Sequence, residues 1–103
     1  MAVFAANTNL LELTGLKDAI TGAFINDATV TATVVDEDGV AVSGASWPVT
    51  LAYVSASNGD YRAVLSHALA LTPYRTHVAR IDADGGSDRV GHWEFDFLPQ
   101  TRS

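Results

Sequence analysis

Ala28, Val30, Ala32 and Val34 alternate with Thr29, Thr31 and Thr33, and Asp36-Glu37-Asp38-Gly39 closes the run. A period of two puts the alanines and valines on one face of a strand and the threonines on the other. Such a strand has one buried and one wet face, which is the pattern of an antiparallel sheet packed on a single core. The Asp-Gly that follows supplies a residue able to take positive φ in a tight turn.

The same signal recurs along the chain. Leu10–Leu13 reads as a first strand, with residues 1–9 before it as an N-terminal arm. Gly15 and Gly22 punctuate residues 15–27 as an extended segment with turns. Val40 and Val42 continue the Asp-Gly turn as a short hairpin partner. Trp47-Pro48 opens a strand in which Val49, Leu51 and Tyr53 share a face, and Asn58-Gly59 turns it into a return strand carrying Tyr61, Ala63 and Leu65. Ser66–Leu71 reads as one helical turn with Ser66 as N-cap, stopped by Pro73. Tyr74–Asp82 reads as a strand with Tyr74, Thr76 and Val78 on one face. Ile81 is out of phase with them, and a bulge near Ala79-Arg80 would reconcile the two. Asp84-Gly85-Gly86-Ser87 is a turn. Val90–Leu98 is the last strand, with Trp93, Phe95 and Phe97 facing inward and His92, Glu94 and Asp96 outward. Residues 99–103 form a C-terminal tail.

About seven short strands separated by turn signals predict an all-β fold. The expected form is a small antiparallel Ig-like β-sandwich, or a partly closed barrel, over residues 10–98. The 103 residues amount to one domain with one modest core. There is no cysteine, which rules out disulfides, thiolate metal sites and thiol catalysis. The net charge is −6, Lys17 is the only lysine, and the arginines are scattered at positions 62, 75, 80, 89 and 102. That distribution argues against nucleic acid and against an anionic membrane surface, both of which need clustered cations. No apolar run approaches the roughly 18 residues of a spanning helix. The opening residues lack the basic and apolar regions of a signal peptide.

Candidate chemistry is sparse, and no cofactor is implied. Asp36-Glu37-Asp38-Gly39 and Asp82-Ala83-Asp84-Gly85 both carry Asp-x-Asp-Gly. The twelfth position of each as a calcium loop is a tryptophan, Trp47 or Trp93, where a bidentate glutamate is required. The EF-hand reading fails; a weaker surface calcium site of two carboxylates stays open, and the favoured reading of both runs is a hairpin turn. His67, His77 and His92 have no zinc-motif spacing, although different strands could bring them together; as isolated residues they read as surface or half-buried. Ser46 lacks a nucleophile-elbow frame. Glu94 and Asp96 share a strand face roughly 6.5–7 Å apart, but a glycosidase pair also needs a cleft that raises one pKa. The aromatics Trp47, Trp93, Tyr53, Tyr61, Phe95 and Phe97 fall on inward faces and read as core.

Several elements resemble small structural proteins of tailed bacteriophages and prophages: Leu13–Ala19, Thr21–Val30, Asp36–Gly39, Trp47–Leu51 with Tyr53, Asn58–Arg62 and Gly91-His92-Trp93. The resemblance spans nearly the whole chain after residue 10 and rests on turn and core residues. It implies a non-enzymatic component of the virion, assembled in the host bacterial cytoplasm. Such a component would pack in many copies, as a homo-oligomer, against capsid, portal, neck or tail subunits. Contact residues are then expected in the termini and the 15–27 segment: Phe4, Lys17, Phe24, Ile25, Pro99 and Arg102. The competing expectation is an Ig-like binding module for carbohydrate or a host-surface ligand, which would need exposed aromatics.

Overall fold

The computed structural model describes residues 3–18, 20–86 and 90–101. Six strands form, β1 (Asn9–Leu13), β2 (Thr29–Val35), β3 (Val49–Tyr53), β4 (Tyr61–Leu65), β5 (His77–Asp84) and β6 (Val90–Phe97). All pair antiparallel in one sheet ordered β1-β4-β3-β2-β5-β6, curled into a half-barrel. No helix occurs among the described residues.

β3 makes the corner. Its first half pairs with β2, Val30 opposite Leu51 and Ala32 opposite Val49, and its end pairs with β4, Tyr53 opposite Tyr61. One inward face then runs across all six strands. Leu11, Tyr61, Leu65, Leu51, Val30, Ala32, Val34, Ala79, Ile81, Ala83 and Phe97 join a single buried cluster. Each fully buried leucine, isoleucine or valine contributes about 1.5–3 kcal/mol of transfer free energy. The alternation read in residues 28–36 is borne out: Val30, Ala32 and Val34 are buried while the threonines line the outer face. The β3–β4 hairpin also forms as its sequence predicts.

Six strands replace the seven expected because Val40–Val42 forms only an isolated bridge, Val35 to Ala41. The Asp36 carboxylate explains the sharpness of that turn: its Oδ1 accepts from the N–H groups of Asp38 and Val40, at 2.9 and 3.0 Å. Residues 66–71 are a turn and not a helical one. The Ser66 hydroxyl accepts from the Ala68 N–H, a local bond that competes with helix formation.

β5 corrects the expected phase. It pairs without interruption with β2 over Val78–Asp84 and with β6 over its whole length, so no bulge is present. The inward set is His77, Ala79, Ile81 and Ala83, the opposite of the Tyr74–Thr76–Val78 face. Asp82 and Asp84 accordingly belong to the strand and not to a turn. His77, expected near the surface, is 1% exposed. Its burial is made tolerable by two bonds: Nδ1–H donates to the Arg75 carbonyl at 2.8 Å, and Nε2 accepts from the Thr72 N–H. The ring stacks on Phe97.

Residues 3–5 lie against the domain. Val3 is 1% exposed and belongs to the core. Gln100 N–H donates to the Val3 carbonyl and Ala5 N–H to the Gln100 carbonyl, both at 2.8 Å. Buried Asn9 fastens the turn between them, accepting from Phe4 N–H and donating to the carbonyls of Phe4 and Asn7.

Candidate functional site

A half-barrel has two outer strands, here β1 and β6, each paired on one side only among the described residues. Every strand residue carries an N–H and a C=O that seek partners. An outer strand therefore presents a row of unpaired backbone groups, the commonest template for protein–protein association through sheets. β6 is the longer of the two, and its side chains make it the stronger candidate surface.

On the inward side β6 carries Gly91, Trp93, Phe95 and Phe97, opposite Ala83, Ile81, Ala79 and His77. Phe97 is buried and Phe95 packs against the core. Trp93, expected as core, is 40% exposed because, among the described residues, no strand lies beyond β6 to cover it. Its indole folds along its own strand over Gly91: a Cβ added at Gly91 would come within 2.4 Å of the ring. Val90 is also exposed. Trp47, the other tryptophan, is half-buried against the core and donates its indole N–H to the Val42 carbonyl at 2.6 Å.

The outward side of β5 and β6 holds the main charged cluster. His92 lies opposite Asp82 and two residues from Glu94, and its ring is held between them, Nδ1 2.5 Å from Asp82 and Nε2 2.7 Å from Glu94. Bonding two carboxylates through both ring nitrogens requires the doubly protonated ring. The bonds to Glu94 and then to Asp82 accordingly raise the His92 pKa above its ordinary value. Glu94 also faces Arg80 across the strands, with Arg80 Nε 3.8 Å from its Oε2. That oxygen is already taken by His92, and Arg80 Nε is left without a hydrogen bond.

This cluster offers no nucleophile. The three histidines do not converge: His77 faces inward, His92 outward, and His67 sits on the β4–β5 connection. No group of three or more metal-ligating side chains is arranged to hold an ion among the described residues. Asp36 spends an oxygen on its own turn, and Asp84 accepts from Gly86 N–H. Glu94 and Asp96 both face solvent. A shallow depression of about 300 Å³ lies beside Asp96, lined also by Thr76, Phe97 and Leu98.

The expected contact residues are divided by the structure. Ile25 and Pro99 are buried within the domain itself. Phe4 is half-buried, bridging to Gln100. Lys17 and Phe24 are exposed neighbours in the hairpin that closes residues 17–24, the ammonium 4.9 Å from the ring centroid. Arg102 lies outside the described residues. The β6 surface was not singled out from sequence, although His92, Glu94 and Asp96 were placed on one face. The missing information was that β6 is outermost. Its one local trace is Gly91 two residues before Trp93, which leaves room for an indole lying along the strand.

No family model matches this chain, and comparison with curated proteins and with solved structures finds no match.

Proposed function

We propose that this chain is a non-enzymatic structural component of a tailed-phage particle, packing in multiple copies at the capsid surface, the head–tail junction or the tail. The observation that carries this reading is the open half-barrel, whose outermost strand β6 joins a free backbone row to exposed Trp93 and Val90. Assembly through a sheet edge needs little beyond that. The resemblance of the turn and core elements to phage structural proteins supplies the context. The Ig-like body of about seven strands belongs to the same reading: six strands come from one chain, and the free edge takes a strand from a neighbour.

The neighbouring reading frames test it. Genes for a portal, a major capsid protein or tail components beside this one support the particle role, and their order separates head from tail. Genes for sugar processing or surface export would replace it with the second reading.

That second reading is an Ig-like module binding carbohydrate or a host-surface ligand. One observation favours it, the exposure of Trp93, since an indole face is a stacking platform for a sugar ring. Titration with mono- and oligosaccharides, followed by Trp93 fluorescence, distinguishes it from the first.

A further inference from the structure

We infer that β6 pairs antiparallel with β6 of a second copy of this chain, about a two-fold axis through Trp93, joining two half-barrels into one continuous sheet. The inference builds on β6 as an assembly edge and holds with or without a phage particle.

The register follows from the side chains. A continuous sheet keeps outward residues opposite outward residues, so the axis must pass through a residue of β6 and not between two. An axis at Trp93 sets His92 opposite the partner's Glu94, Val90 opposite the partner's Asp96, and Gly91 opposite the partner's Phe95. The charged row then reads Asp82, His92, the partner's Glu94, the partner's Arg80, alternating in sign across the junction, and the two-fold repeats it. On the inward side Trp93 meets the partner's Trp93, and the partner's Phe95 comes opposite Gly91, where it packs on the indole that lies over that glycine. Other axes do less among the described residues: at Glu94 two carboxylates oppose each other, although His92 then faces the partner's Asp96, at Phe95 Glu94 meets the partner's Asp96, at His92 two imidazolium rings meet, and at Gly91 His92 meets only the partner's Val90. Like charges directly opposite are unfavourable.

One observation beyond exposure supports a second copy as the occupant: every charged pair across the junction is of opposite sign in this register. A single strand pair buries less than the roughly 1,200–2,000 Å² of a standard interface, so the dimer is concentration-dependent.

Sedimentation equilibrium on the purified full chain tests this with two single variants. H92E sets two pairs of carboxylates against each other in its own dimer, and E94K sets a lysine against His92 twice. Each variant alone, shown folded by circular dichroism, is expected to dimerise at least about tenfold more weakly than wild type. An equimolar mixture is expected to recover a heterodimer, because both contacts are then of opposite sign. As a second measurement, the double variant V90C/D96C places cysteines opposite each other in the pair and too far apart to join within one strand. Oxidation is expected to yield a covalent dimer, and V90C alone is not. Wild type that stays monomeric to its solubility limit, a mixture that behaves as its components do, or no covalent dimer from V90C/D96C would overturn the inference. A monomer encoded among virion genes would overturn this pairing alone and leave the particle role standing.

Discussion

The Tyr61 hydroxyl donates to the carbonyl of Ile25 at 2.7 Å and accepts from the N–H of Ala28 at 3.1 Å. One buried phenol on β4 thereby fixes the chain entering β2, more than thirty residues away in sequence. The same turn holds the segment a second time: Leu16 N–H donates to the Gly59 carbonyl, Gly59 N–H to Asn26 Oδ1, and Gly15 N–H to the Asp60 carboxylate. Gly59-Asp60-Tyr61 is the anchor of residues 15–28. Tyr61→Phe keeps the ring and removes both bonds, leaving a buried carbonyl and an N–H short of a partner. The expected cost is about 1–3 kcal/mol, read as a lower urea midpoint with unchanged slope.

Gly59 is required for two reasons, and Gly39 for only one. Both have positive φ, +72° and +80°. A Cβ at Gly59 would lie 2.5 Å from the Leu16 carbonyl oxygen, whereas nothing lies within 4 Å at Gly39. Gly39→Ala is expected to cost about 1–2 kcal/mol, the left-handed backbone penalty alone. Gly59→Ala adds a backbone clash and must displace the 15–28 segment. Its thermal midpoint should fall well below that of Gly39→Ala.

Deleting residues 1–8 tests the N-terminal attachment. A free arm would leave stability unchanged. Here Val3 is core and two backbone bonds join residues 3–5 to Gln100. Loss of the valine alone removes about 1.5–3 kcal/mol of burial. The truncated chain is expected to unfold at a lower denaturant concentration, with faster amide exchange at Gln100.

His92 gives stability a pH dependence of definite sign. Its folded pKa is raised by Glu94 and Asp82, so the folded state holds the proton more tightly than the unfolded one. The stabilisation is fully present below the unfolded value of about 6.5 and is lost as pH rises through the higher folded value. In His92→Gln that window disappears. Urea midpoints measured from mildly acidic to mildly alkaline pH should decline in the wild type more than in the variant. High salt should shrink the difference, since the cluster is exposed.

Period-two alternation is a local property, and where it was clean the sequence was enough. Residues 28–36, the Trp47–Leu65 hairpin and the 90–98 run each declared a strand and its faces before any partner was known. The all-β class followed from those three alone. β5 was harder because its inward residues include a polar histidine and two small alanines, while Val78 lies on the outer face. Its phase came from uninterrupted pairing with β2 and β6, and His77 is buried only because Thr72, Arg75 and Phe97 surround it.

Neighbours decided what alternation could not. Phe97 and Trp93 share one face of one strand, yet Phe97 is buried and Trp93 is 40% exposed. Side-chain pattern states which way a residue points, while burial also depends on what lies beyond it. Strand order is set by pairings between residues distant in sequence, such as Thr29 with Asp84 and Leu13 with Tyr61. The sequence determined a sheet with one apolar face. The tertiary structure decided that β6 ends it, which leaves Trp93, His92 and Glu94 on an open edge.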